Sequence, residues 1–390
     1  MSWPKAKLGK LCKLHNGKTY KASEWKTEGL PIIRIQNLKN SAKSFNYWAR
    51  GFDGQIRVNT GDLLLAWSGT PGTSFGAHIW NGPQGVLNQH IFRVDLDEKI
   101  VTKEWALHSI NAQLEVLIGG AHGGVGLKHV TKSQVESLEI LIPPAHEQKK
   151  LVNRLTNAGN LKRLRNQTIV ELDSYLCSLF IEMFGDPVTN PKEWNLKPVS
   201  EIVPAVGSGW SPVCESRPPT KTECGVLKLG AVTWCNYDEE ESKAFLNEHE
   251  FDPTIEVHQG DLLFCRKNTY ELVAASAYVF STRPRLMMSD LIFRLNPGDN
   301  SGVLPIFLWK LLTNKNQRAL IQSLASGSAG SMPNISKERL KKAQLICPPL
   351  DLQKHFVEKV IQSQQLKDRL HHSQGEQNTL FSSLLIETFQ

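Results

Sequence analysis

The sequence predicts an α+β fold built as a tandem repeat. Two mixed α/β domains each lead into one long helix, and the two helices are expected to be antiparallel, coiled-coil-like and related by a pseudo-twofold axis. Three observations predict this. Motifs recur in order about 200 residues apart, a period too long for a solenoid and right for two whole domains: Gly61-Asp62-Leu63-Leu64 returns as Gly260-Asp261-Leu262-Leu263, and Ile91-Phe92-Arg93 as Ile292-Phe293-Arg294. Each half carries short apolar runs bounded by Gly, Asn and Pro, which read as strands. Each half then passes a proline pair into a long stretch almost free of helix breakers.

A chain of 390 residues can bury two cores, and 40% hydrophobic residues with ten Trp argue for folded domains rather than disorder. The net charge of +7 and pI near 8.9 favour a polyanionic partner modestly. The cysteines, Cys12, Cys177, Cys214, Cys224, Cys235, Cys265 and Cys347, include no CxxC pair and no zinc-finger spacing, so no metal site is expected and the thiols read as reduced and cytoplasmic. Met1 to Lys10 lacks a signal-peptide core. No run approaches the ~20 apolar residues of a membrane helix, so no membrane partner is expected.

In chain order, strands are expected at Leu30 to Ile35, Asp62 to Trp67, Gln89 to Val94 and Leu138 to Ile142. Their counterparts are Gly225 to Leu229, Asp261 to Cys265, Leu291 to Leu295 and Ala343 to Ile346. A shorter helix is expected over Lys103 to Leu117, mirrored by Leu304 to Leu324. Pro143-Pro144 ends the first globular part, since proline cannot continue a ladder but suits a helix start. From His146 to Phe184 no proline occurs, and Leu161, Leu164, Thr168, Leu172, Tyr175 and Leu179 step by three or four. They predict an amphipathic helix with a seam buried against its partner, stopped by Gly185-Asp186-Pro187. After Pro348-Pro349, Phe356, Val360, Leu366, Leu370, Leu380 and Leu384 repeat the pattern. Chain order makes antiparallel pairing the simplest arrangement, with the second helix returning toward the first domain.

The junction Ile142-Pro143-Pro144 through Glu147-Gln148, the helix end Leu179 to Pro187 (LFIEMFGDP) and their double occurrence resemble the specificity subunits of Type I restriction–modification enzymes. The second copy departs in two ways. Gln353 matches Gln148 but Leu352 replaces the glutamate, and the second helix ends at Gln390 without the GDP tail. The resemblance implies target-recognition domains at 1–145 and 187–350 and conserved spacer helices at 146–186 and 351–390. It implies a non-catalytic subunit that reads double-stranded DNA, each half taking one part of a bipartite, asymmetric site. The helices would set the spacer and bind two methyltransferase subunits, through which restriction subunits join. S-adenosylmethionine, ATP and Mg²⁺ would belong to those partners, with no cofactor in this chain. The alternative is a related two-subunit system whose partner fuses methyltransferase and nuclease. A free-standing enzyme and a protein-binding scaffold are the rivals from other classes.

The residues offer no catalytic site. The two Pro-Pro junctions lack the leading polar and trailing aromatic residues of a base-holding methyltransferase motif. Gly119 to Gly126 does not fit a phosphate-cradling loop and reads as a mobile loop with its counterpart at Ser326 to Asn334. Glu358-Lys359 reads as a solvated helix face. His15, His78, His90, His122 and His129 have no metal-ligand spacing. Polar loops are the candidate DNA contacts, because Arg can reach guanine bidentately and Asn or Gln can reach adenine. In the first half these are Lys18, Tyr20, Lys21, Arg34, Gln36, Asn37, Ser68, Thr70, Asn88, Gln89 and His90. In the second they are Trp210, Ser211, Lys228, Arg266, Lys267, Asn268 and Ser289. Arg266-Lys267 follows its strand where Trp67-Ser68 follows the equivalent one, so matched positions carry unlike residues. The run Asp238 to Glu241 is expected to face away from phosphate.

Overall fold

The computed structural model describes residues 3–40, 43–52, 54–69, 75–113, 118, 128–327 and 332–389, and gives the backbone alone for 69, 128–129, 376–382 and 384–387. The chain divides into two compact units, Met1–Arg165 with His372–Gln390, and Asn166–His371.

In the first unit an antiparallel sheet runs in the order β2 (Cys12–Asn16), β10 (Ile91–Leu96), β6 (Leu63–Ala66), β8 (Gly76–Ile79). A second sheet orders β4 (Asn46–Trp48), β3 (Leu30–Ile33), β9 (Gly85–Leu87), β5 (Arg57–Val58), with β3 and β9 parallel. Two small ladders pair β1 (Lys5–Lys7) with β12 (Glu139–Leu141), and β7 (Ser68–Gly69) with β11 (Lys128–His129). Helix α1 (Lys103–Ala112) packs on β8, and the 40-residue α2 (Ala145–Phe184) follows the proline pair.

The second unit repeats this nearly strand for strand. Its antiparallel sheet runs β14 (Gly207–Ser208), β20 (Ile292–Arg294), β17 (Leu262–Cys265), β18 (Ser276–Tyr278). Its mixed sheet runs β16 (Ser242–Ala244), β15 (Gly225–Leu227), β19 (Leu286–Met287), with β15 and β19 parallel. β13 (Leu196–Pro198) pairs with β21 (Gln344–Ile346). Helices α3 (Pro305–Thr313), α4 (Lys315–Gln322) and the 40-residue α5 (Leu350–Phe389) complete the chain.

Shared motifs mark shared geometry. Gly61 and Gly260 adopt φ of +88° and +96°, the left-handed region that glycine enters without a Cβ penalty. The aspartate after each bonds back, the amides of Asn59 and His258 donating at 2.8 and 2.9 Å to Asp62 and Asp261. Gln148 and Gln353 are both buried. Gln148 Oε1 accepts from the Thr102 amide at 3.0 Å, and its Nε2 donates to the carbonyls of Ile100 and Pro143 at 2.9 Å. Gln353 repeats the triad with the Leu304 amide and the Gly302 and Pro348 carbonyls. Glu147 instead pairs with Lys150 and His146 near the surface, so its loss as Leu352 leaves the junction standing.

Several expected bounds move. β3 stops at Ile33 because Arg34 opens the helical turn Ile35–Leu38, and β15 stops before the turn Gly230–Thr233. The expected helix over Leu304 to Leu324 is two helices. Asn314 breaks it and caps the second with Oδ1, which accepts from the amides of Asn316 and Gln317 at 3.0 and 3.3 Å. Of the span to Leu117, residues 114–117 lie outside the described residues, as do Thr70 and Gly119 to Gly126.

The long helices are antiparallel within each unit. In the first, Arg165 Nη1 donates to the Ser373 carbonyl at 3.1 Å, while Phe389 joins the core of Leu151, Val152 and Leu155 and lies 4.9 Å from the Trp105 ring. In the second, Lys367 pairs with Asp173, while Phe180 and Phe184 pack on Phe307 and Phe356. The expected seam is corrected: Leu161, Leu164 and Tyr175 are exposed by 46–49%, and Leu366 is exposed. Burial falls instead on Leu151, Val152, Leu155, Leu176, Phe180 and Phe184, together with Phe356 and Val360, because the globular cores cover the helix ends. The side chains of Leu380 and Leu384 lie outside the described residues. Among the described residues no helix is long and apolar enough to cross a membrane.

Candidate nucleic-acid interface

A set of backbone hydrogen bonds recurs at one end of the sheets in each unit. In the first, Gly17 and Lys18 amides donate to Ile91 and Leu87 carbonyls (3.1 and 2.9 Å), Ile91 to Asn88 (3.3 Å), Trp67 to His90 (3.2 Å) and Val130 to Trp67 (3.0 Å). In the second, Gly209 and Trp210 donate to Ile292 and Met288 (3.4 and 3.0 Å), Ile292 to Ser289 (3.1 Å), Arg266 to Leu291 (3.1 Å) and Ile335 to Arg266 (2.8 Å). The bonds equate Lys18 with Trp210, Asn88 with Ser289, His90 with Leu291 and Trp67 with Arg266. The parallel registers Ile33↔Leu87 and Val226↔Met287 then equate Arg34 with Lys228. Glycine is required at the crossing, since a Cβ on Gly17 or Gly209 would meet a backbone oxygen of Asn88 or Met288 at 2.0 or 2.2 Å.

In the first unit, Lys18, Lys21 and Gln36 are exposed and Arg34 is half-buried, its guanidinium 5.1 Å over the Trp25 ring. Trp67 stacks on Phe92 at 5.8 Å, lies 5.4 Å from His90 and donates from Nε1 to Asn16 at 3.2 Å. Gln89 Nε2 is 3.2 Å from His90 Nε2. Four of the sequence candidates are buried, Asn88 among them. Tyr20 is buried, edge-on to Trp48 at 5.1 Å, with its hydroxyl donating to Gln55 at 2.6 Å, and burial pushes its pKa up, helped by the charge of Glu24. Asn37 is buried and spends its side chain on the Arg34 amide and the Lys43 carbonyl. Ser68 is buried in β7. As folded, these four support the loops and leave the surface to their neighbours.

In the second unit, Trp210 and Ser211 are exposed, and the Ser211 hydroxyl bonds Asp290. Arg266 lies 4.9 Å over the Phe293 ring, with Nε donating to Asn334 Oδ1 at 3.1 Å. Lys267 forms a bridge with Asn334. Asn268 is buried and donates to Thr233 Oγ1 at 3.3 Å. Ser289 is buried, and its Oγ has no hydrogen-bond partner among the described residues. Lys228 pairs with Glu241 at 3.0 Å. Glu241 of the acidic run thus stands beside a candidate contact. Among the described residues no group of His, Cys, Asp or Glu could hold a metal ion.

Residues 2–174 match the family model for the Type I restriction modification DNA specificity domain. The first repeat is similar to that domain. The chain is 34% identical over 205 residues to the Type I restriction enzyme EcoEI specificity subunit of Escherichia coli, a match over 51% of this chain and 34% of that protein. The chain thus spans about a third of that relative's length. By fold it is similar to the S subunit of a Type I restriction-modification system from M. genitalium, with TM-score 0.59, 16% identity, and coverage of 100% of this chain and 96% of that one. A second solved chain, described under complex assembly and conformational transition of the type I R-M system, gives TM-score 0.56 at 15% identity, covering 99% and 97%. The resemblance to specificity subunits drawn from the repeated junctions is borne out.

In both units, sequence reasoning missed the aromatic platforms beneath the candidate contacts. Trp25 under Arg34 and Phe293 under Arg266 are examples; also missed were Asn334 and Lys337, distant in sequence, which meet Arg266 or its platform. The duplicated Ile-Phe-Arg motif held the signal for Phe92 and Phe293. Nothing local marked Asn334 or Lys337.

Proposed function

We propose that this chain is a non-catalytic specificity subunit of a Type I restriction–modification complex, in which each repeat reads one half of a bipartite, asymmetric DNA site. The observation that carries this reading is the duplicated backbone frame with unlike side chains: Lys18 against Trp210, Trp67 against Arg266, His90 against Leu291. A common frame orients both domains alike on a duplex, and different side chains at its matched positions offer different groups to base edges. The helices set the spacer and dock two methyltransferase subunits, through which restriction subunits join. Apolar side chains exposed along α2, among them Leu161, Leu164, Val170 and Tyr175, support such docking, since a helical partner gains by covering them. S-adenosylmethionine, ATP and Mg²⁺ act in the partner subunits.

The test is exchange. Replacing residues 1–145 with the equivalent part of another specificity subunit should change one half-site and leave the other, as read by mapping methylated sites in a host carrying the complex. A change in both halves, or a palindromic target for the unmodified protein, would refute the reading.

A further inference from the structure

The Phe293 ring of the second unit carries two cations. The Arg266 guanidinium lies 4.9 Å from its centroid and the Lys337 ammonium 5.5 Å. Among the described residues neither forms an ion pair. Two like charges gathered on one buried ring repel each other and call for an anion beside them. The two cations are held differently. Arg266 is fixed by its Nε bond to Asn334 and by backbone bonds on both sides, through the Leu291 carbonyl and the Ile335 amide. Lys337 follows the buried Ile335 and the capping Ser336 on a flexible stem, its ammonium near the ring and within electrostatic reach of Glu338 but in no ion pair among the described residues. A fixed planar fork suits a base edge, whereas a mobile point charge suits a phosphate.

The first unit has the same socket without the same charge. Trp67 replaces Arg266 and stacks on Phe92, the equivalent of Phe293. Val130 and Ile335 make the same backbone bond, which equates Lys132 with Lys337. Lys132, however, is turned to Glu136 at 3.6 Å. One socket is thus apolar with its lysine neutralised, and the other is doubly cationic.

We propose that Lys337 is a DNA-phosphate anchor of the second repeat, paired with base-reading Arg266, and that the first repeat lacks its counterpart. At this socket the two repeats then differ: the second makes an ionic, salt-sensitive contact where the first presents the Trp67–Phe92 stack. This rests on the DNA-reading function proposed above.

The test measures affinity of the full chain, assembled with its methyltransferase partner, for a fluorescein-labelled duplex of mixed sequence across a salt series. Each neutralised phosphate adds about 0.9 to the slope of log K against log salt. Lys337→Ala should lower that slope by about one, with the affinity difference from the parent shrinking about three- to fourfold between 50 and 200 mM salt. Lys337→Arg should restore it and Lys132→Ala should leave it unchanged. On the methylation map Lys337→Ala should keep the target sequence, whereas Arg266→Ala should relax the second half-site alone. Duplex binding with an unchanged slope in Lys337→Ala, or an equal loss in Lys132→Ala, overturns the anchor and leaves the DNA-reading function intact. No binding to any duplex by the assembled parent overturns both.

Discussion

Gln148 and Gln353 each satisfy one amide and two carbonyls where the last strand turns into a long helix. An apolar residue there would strand those groups inside the fold, at about 1–3 kcal/mol for a buried group left unpaired. Gln353→Ala should therefore lower the midpoint of thermal unfolding of the chain, whereas Gln353→Glu, which keeps the acceptor oxygen for the Leu304 amide, should lower it less. Two further polar residues, each half-buried, are titratable. His108 and Lys310 occupy equivalent places, each six residues beyond the residue whose amide meets the glutamine, and burial lowers the pKa of both. Lys310 falls to about 8, chiefly by burial and then by the charge of Lys367. The unfolded chain keeps that proton up to the ordinary lysine value of 10.5, so between about 8 and 10.5 it binds more protons than the folded chain, and stability rises with pH. Lys310→Met should remove this rise, seen as a wild-type-minus-variant difference in denaturant midpoint that increases from pH 8 to 10.5. A difference independent of pH would show that burial does not disfavour the ammonium.

Both long helices were legible in the sequence because proline pairs, breaker-free length and an apolar period all point the same way. Their structured ends fall at Phe184 and Phe389, the duplicated aromatics. The buried face was not legible. Periodicity names a stripe without saying what covers it, and here the domain cores bury the ends while Leu161, Leu164 and Tyr175 stay exposed. Strands with four apolar residues, such as Leu63–Ala66, were found; β5 (Arg57–Val58) and β14 (Gly207–Ser208) are two residues long and carry no period at all. Candidate contacts divided in the same way. Exposed Lys18 and Gln36 and buried Tyr20 and Asn37 share polar composition and loop position, and only tertiary packing separates them. At this scale Phe389→Ala should strip an aromatic from the Trp105 core, costing about 3–5 kcal/mol as for large-to-small core changes. Hydrogen exchange should then rise in α1 and around Leu151 to Leu155, with protection unchanged near Phe184.

For the molecule as a reader of split sites, the helices are the proposed ruler. Four residues added within Asn166 to Ile169 extend a helix by ~6 Å, nearly two base-pair steps of about 3.4 Å. Methylation mapping should then show a spacer longer by one or two base pairs between unchanged half-sites. An active variant with its original spacer would show that distance is set elsewhere. The duplicated frame has a further consequence, for how such a protein can change. Its tethers run from main chain to main chain, so the side chains at 18, 34, 67 and 90, or at 210, 228, 266 and 291, are not what closes the loops. Residues there can be exchanged without disturbing the bonds that hold the frame together. Foldability and vocabulary are therefore stored in separate atoms, and a library randomised at these eight positions should remain largely folded while its members drift toward new words.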